Sequence, residues 1–336
     1  MQHFAGILKQ EKVMTNALIR LLLIAILSAL PSIDTTFAGR RTNVIGRSAD
    51  MVVTMPGTST LSTANQRKDD SEFSERDEIR RTLHLMPGAR VEVSSIRGSV
   101  SIETANVEVA EVHIVRSARS RADLEHHKII IDDGPQSLTI RGEQRRPNTD
   151  SGPDVRHRVM LKLPRRVELS VRSISGHTLI GDIDGHLVVL SVSGSLNVGA
   201  VSGKVHVTSV SGNVDIGNVN QRVEIKSVSG SVKIGQAVDF LDVSSVSGAL
   251  SAAISKLGER GVKINSVSGS VKLRFTDELD AQFSSNSVSG VVSIELSNVT
   301  MQSEPGASAI RAVIGKGGSP ISIKSVSGGV RLTRGN

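Results

Sequence analysis

Ser-Val-Ser-Gly, or a near copy of it, recurs through the second half of the chain. The copies end at Gly176, Gly194, Gly212, Gly230, Gly248, Gly269, Gly290 and Gly328. The first four intervals are 18 residues, the next two 21 and the last 38. Such a unit is too short to own a core, so it buries apolar surface only by stacking on its neighbours. A half-period lies inside it. Leu187 and Val189 return at steps of nine as Leu196 and Val198, Val205 and Val207, Val214 and Ile216, Val223 and Ile225, Val232 and Ile234, and Leu241 and Val243. Within each pair one residue intervenes, which is the period of a strand.

These spacings predict an all-β chain, a single-stranded β-helix-like solenoid. Its coils are roughly 18 residues, each made of two nine-residue strand-turn rungs. Coils would stack about 4.8 Å apart, with Val, Ile and Leu in inward columns. A ring would need room in every neighbouring coil, which fits the absence of Trp and Tyr and the 2% aromatic content. Glycine at the corners supplies positive φ or close backbone approach. A six-residue step through Val192, Val198, Val210, Ile216, Val228 and Ile234 is the competing register, but Lys204 and Arg222 break it. The 38-residue interval reads as two coils with one motif lost. Upstream, Val91 and Val93, Val100 and Ile102, and Val112 and Ile114 also alternate. Between about Val115 and Pro164 the strict repeat gives way to strands such as Ile129–Ile131 and Leu138–Ile140 joined by charged loops.

The run Ser-Ile-Arg-Gly-Ser-Val-Ser-Ile at 95–102, the Leu-Lys-Leu-Pro step at 161–164 and the Ser-Val-Ser-Gly coils resemble the bacterial candidate-adhesin family of β-strand-repeat proteins, the toastrack type. The resemblance covers roughly 82–334. It implies one β-helix-like solenoid domain of envelope or signalling proteins, with no catalytic residues to carry over.

The first 38 residues read as a signal peptide. Lys9, Lys12 and Arg20 precede the apolar run Leu21–Leu30, and Thr36-Phe37-Ala38 offers a small-x-small cleavage site before Gly39. The apolar run is about half the roughly 20 residues a membrane span needs. Met14 is a second plausible start. Residues 39–81, polar and aperiodic, read as a disordered linker, and 82–334 as the solenoid. The mature chain is then expected to be exported to the periplasm or cell surface, with no transmembrane helix. The chain holds no Cys, which excludes disulfides, thiolate metal sites and a cysteine nucleophile.

Each candidate site has a bland reading beside it. Ser211, Ser229, Ser247, Ser268 and Ser289 form one column and Ser209, Ser227, Ser245, Ser266 and Ser287 another. They could make a hydroxyl array for glycan or ice. The favoured expectation is a corner ladder in which each hydroxyl satisfies a neighbouring coil's backbone. Asp182, Asp184 and Asp215 do not recur at one phase, so the calcium-binding nonapeptide does not fit. His177, His186 and His206, and the adjacent His126 and His127, gather no other ligand type, and metal sites need three or four ligands. No cofactor is expected. A polysaccharide-cutting β-helix enzyme needs paired acids at one place. The nearest pair in the regular coils, Asp239 and Asp242, is expected to have no acids in register beside it.

Charge is uneven. Nine Lys or Arg stand against four Asp or Glu between Arg141 and Arg172. Arg145, Arg146, Arg156, Arg158, Arg165 and Arg166 are the candidate patch for an anionic envelope polymer, and a solvated loop is the alternative. Nucleic acid is not expected of an exported chain without stacking aromatics. The sequence points to a non-enzymatic exported scaffold or adhesion module that meets an envelope polymer or another envelope protein. A polysaccharide-acting β-helix enzyme and an envelope signalling module are the alternatives.

Overall fold

The structure, a computed structural model, describes residues 73–144, 155–276, 278–303 and 309–335. The expected signal peptide and most of the expected linker lie outside the described residues, as do Arg145 and Arg146. All the described residues belong to the compact unit Asp69–Asn336.

It opens with β1 (Glu75–His84), β2 (Ala89–Ala105), β3 (Val109–Ala118), the short helix α1 (Arg121–His126), β4 (His127–Gly134), β5 (Ser137–Gln144) and β6 (Val155–Pro164). The regular coils follow as β7 (Val167–Ser175), β8 (Thr178–Ile180), β9 (Leu187–Ser193), β10 (Leu196–Val198), β11 (Val205–Ser211), β12 (Val214–Val219) and β13 (Val223–Ser229). β14 (Val232–Ser247) and β15 (Leu250–Ser268) run round a corner and serve both faces, and β16 (Val271–Phe275) ends this stretch. Last come β17 (Ala281–Ser289), β18 (Val292–Glu295), β19 (Val299–Met301), β20 (Ala309–Ile314), β21 (Ser319–Ser327) and β22 (Val330–Arg334).

Parallel pairing at steps of 18 builds the solenoid. Val205 and Val207 lie beside Leu187 and Val189 on one side and Val223 and Ile225 on the other. Leu196 and Val198 lie between Thr178 and Ile180 and Val214 and Ile216. All seven nine-spaced pairs are buried. Asp215 and Glu224 are half-buried and Lys233 is exposed, so alternation places them on the opposite face. Val198, Ile216 and Ile234 point inward, whereas Val192, Val210 and Val228 do not. That excludes the six-residue register.

The Ser-Val-Ser-Gly glycines stack directly. A Cβ on Gly176 would strike the Gly98 carbonyl, one on Gly194 the Gly176 carbonyl, and so on through Gly212, Gly230, Gly248 and Gly269. After Gly269 the order is Gly328 and only then Gly290. Strand pairing agrees: β15 and β16 pair with β21 and β22, which in turn pair with β17 and β18. The 38-residue interval is therefore not two coils with one motif lost. After β18 the chain forms the antiparallel pair β19–β20 and lays β20 antiparallel on β17. It then returns to insert β21 and β22 as the penultimate coil. Reversing the strand direction ends the parallel ladder on that sheet and covers its edge.

The other end uses the same device. β2 lies between β5 and β6 on one side and β7 and β8 on the other. β4 caps β5 antiparallel, and β3 then β1 cap β6 antiparallel. Residues 75–81, read from sequence as linker, thus belong to an edge strand of the solenoid. Ile79 and Leu83 pack against the core, but six charges among Glu75, Arg76, Asp77, Glu78, Arg80 and Arg81 hide their alternation.

Candidate functional site

Two inward-facing charges define the N-terminal end of the stack. Along β3 the inward parity runs Ala110, Val112, Ile114, Arg116, Ala118, and Arg116 stands directly opposite Asp77 on β1 and His157 on β6. Arg116 Nη2 donates to the Asp77 carboxylate, and Nη1 donates to the carbonyls of Leu124 (3.0 Å) and His127 (2.7 Å). The guanidinium therefore ties β1, α1 and β4 together, and it holds the Asp77 carboxyl below the usual range. Helix α1 starts where the Ser120 hydroxyl accepts the Asp123 N–H (3.3 Å), and Leu124 seals a small cluster with Ala118 and Val155.

Beside the helix lies a cavity of about 270 Å³. Its wall carries the cations Arg116, Arg121 and Lys128, the acids Asp77 and Glu125, and the apolar Ile79, Leu124 and Ile129. Next to Arg116, His157 is only 5% exposed. Its Nδ1 accepts the Arg97 N–H (3.4 Å), and burial pushes its pKa down to about 4. Around pH 7 the imidazole is therefore neutral. The arrangement offers cationic and apolar surface together, which suits a group with a negative end and a hydrocarbon body.

Of the six arginines singled out from sequence four are described, and Arg156 and Arg158 lie apart from Arg165 and Arg166. Arg156 and Arg158 project outward near the start of β6, and Arg156 stacks on the Phe73 ring at 4.2 Å. Arg165 and Arg166 sit in the turn at the other end, roughly 30 Å along an extended strand. Arg165 lies 3.6 Å from both Asp182 and Asp184. A net count along the sequence missed that a strand carries its ends apart. Sequence reading also passed over Arg116, Arg121, Lys128 and Asp77. The usable signal was Arg116 on the inward parity of β3.

Contrary to the sequence expectation, Asp242 has an acid in register, Glu224 one coil earlier, and that carboxylate lies 3.2 Å from Arg222 and 3.7 Å from Lys226. The histidines of the regular coils link successive turns of chain. His177 Nδ1 lies 2.5 Å from Ser195 Oγ, and His186 Nδ1 accepts the Lys204 N–H (2.8 Å). The serine columns correct the expected corner ladder. Ser211, Ser229, Ser247, Ser268 and Ser289 are exposed. In the inner column the hydroxyls of Ser209, Ser227 and Ser287, with those of Ser285 and Ser325, are buried with no partner. Coils about 4.8 Å apart are too distant for hydroxyl-to-hydroxyl bonds, and the nearby backbone is committed to the ladder.

The sequence profile of the Toastrack DUF4097 family matches residues 32–333. The chain belongs to that family. No curated protein matches it. Among solved structures it is similar to a candidate cell adhesion protein from Clostridium sporogenes, at 10% identity over 78% of this chain and 100% of that one, with a TM-score of 0.27. It is similar to a candidate adhesin from Bacteroides fragilis at 10% identity over 76% and 97%, TM-score 0.39. It is also similar to a candidate lipid binding protein from Parabacteroides distasonis at 12% identity over 77% and 97%, TM-score 0.29. Among the described residues no helix is long and apolar enough to cross a membrane.

Proposed function

We propose that this chain is an exported, non-enzymatic binding module of the bacterial envelope, serving as a scaffold or adhesion unit. Its stack is a rigid spacer, and its N-terminal cavity holds an anionic group of an envelope polymer. The observation that carries this reading is the cavity wall, where Arg116, Arg121 and Lys128 outnumber Asp77 and Glu125 beside Ile79, Leu124 and Ile129. Arg116 is already committed to Asp77 and two carbonyls, so Arg121 and Lys128 are the groups left to meet a ligand's charge. Of the arginines singled out from sequence, Arg156 and Arg158 extend the same basic end and Arg165 and Arg166 do not.

The test is co-sedimentation of the protein with purified cell envelopes. Binding that falls steeply from low to physiological salt, and that is lost in an Arg121→Gln, Lys128→Gln double variant, supports the reading. Equal sedimentation of wild type and variant overturns it. Protease shaving of intact cells separates a surface position from a periplasmic one.

A further inference from the structure

The two main faces of the stack give four sheet ends, and three of them finish in strands laid antiparallel on their neighbour: β1 and β4 at one end, β19 at the other. The fourth is β18, whose only partner among the described residues is β22. The ladder leading to it is directional. Val214 N–H donates to Ser231, Val232 to Ala249, Leu250 to Ser270, Val271 to Gly329 and Val330 to Val291. Val292 is next in this series and has no further coil to donate to among the described residues. By strand parity Ile294 presents its N–H and C=O in the same outward direction.

The side chains depart from the repeat at the same place. The residue after the turn glycine is Ser195, Asn213, Ser231, Ala249, Ser270 and Gly329 in the earlier coils, and Val291 in this one. Val291 is 77% exposed and Val288, across the turn, 79%. The other edges differ: β1 is heavily charged, β4 carries Lys128, Asp132 and Asp133, and β19 is only three residues long, whereas the exposed side of β18 carries a single acid, Glu295, 3.7 Å from Arg331. Edge strands normally carry charge to prevent pairing.

We propose that β18 pairs with β18 of a second copy of this chain, forming a two-fold dimer end to end. The dimer is independent of any ligand in the cavity. Two features of the edge select a second copy. The edge is close to neutral, so two copies meet without repulsion. A two-fold axis through Ser293 sets Val292 against Ile294 of the other copy, both inward-facing, and lets the outward N–H and C=O groups of each satisfy one another in an antiparallel ladder.

The experiment is sedimentation velocity of the full chain across a concentration series. The expected result is a reversible monomer–dimer equilibrium that stops at two. Val288→Lys with Val291→Lys weakens it by about tenfold or more, since both side chains are exposed and the pairing must bury them. Val292→Pro does the same by removing only an outward N–H. A Leu179→Lys, Val188→Lys control, altering apolar residues exposed elsewhere, leaves it unchanged. A monomer at every concentration overturns the proposal. So does open-ended growth, or a dimer indifferent to the Val288 and Val291 changes.

Discussion

The carbonyl oxygen of Gly212 occupies the space that a Cβ on Gly230 would need. Gly230 also has φ +114°, a conformation that side-chain-bearing residues rarely adopt. Strain and collision therefore act together at this corner, and the same pairing repeats from Gly176 to Gly290. Gly88 separates the two effects, since it has φ +82° but nothing within 4 Å of its would-be Cβ. Gly88→Ala is expected to cost about 1 kcal/mol from the backbone alone. Gly230→Ala should cost at least about 3 kcal/mol, because a coil must shift against its neighbour. Urea unfolding followed by circular dichroism near 218 nm measures both; the chain has no Trp or Tyr to report by fluorescence.

The inner serines yield a prediction of the opposite sign. Ser209 is 1% exposed and its hydroxyl has no partner. Its alanine variant loses no hydrogen bond and removes a desolvated dipole. Ser209→Ala should be neutral or stabilising by about 1 kcal/mol. Ser211→Ala, at the exposed end of the same strand, should move the urea midpoint very little. A clear loss of stability in Ser209→Ala would show that its hydroxyl is satisfied after all.

Regular coils were legible in sequence because each inward pair repeats the same parity nine residues later, as Val214 and Ile216 do before Val223 and Ile225. Stacking order was not legible. A coil reads the same whether its neighbour precedes or follows it in the chain, so nothing in Ile321 and Ile323 says that they lie between Val262 and Phe283 rather than beyond them. Nor was the cavity legible. Asp77 and Arg116 are 39 residues apart and meet only because β1 and β3 run antiparallel. Asp77 in isolation looks like an ordinary surface charge, and the inward parity of Arg116 names no partner for it. The serine ladder failed for a different reason: a hydroxyl beside a turn usually finds backbone, but here the coil spacing withholds it.

Arg116 and Asp77 should prove unequal partners. Removing Asp77 leaves Arg116 bonded to two carbonyls, and removing Arg116 strands both those carbonyls and the carboxylate. Arg116→Met is expected to destabilise by about 2–4 kcal/mol and Asp77→Asn by less. Amide hydrogen exchange localises the effect: residues 121–128 should lose protection in Arg116→Met, with the regular coils unchanged. Equal losses in the two variants would place the weight of the contact on the ion pair instead.

His157 makes the N-terminal end acid-sensitive. Its pKa falls from an ordinary 6.5 to about 4 in the fold, chiefly by burial. Between those values the unfolded chain binds a proton that the folded chain does not. The neutral imidazole's contribution is therefore complete above about pH 6.5 and is lost as pH falls toward 4. A shift of this size corresponds to up to about 3 kcal/mol over the window. The carboxylate of Asp77, whose pKa is lowered by Arg116, adds its own loss only at still lower pH. Urea midpoints should fall from pH 7 to pH 4.5 in wild type and fall much less in His157→Leu. If the two proteins show the same slope across that window, the acid sensitivity belongs to other groups and His157 is not held neutral by burial.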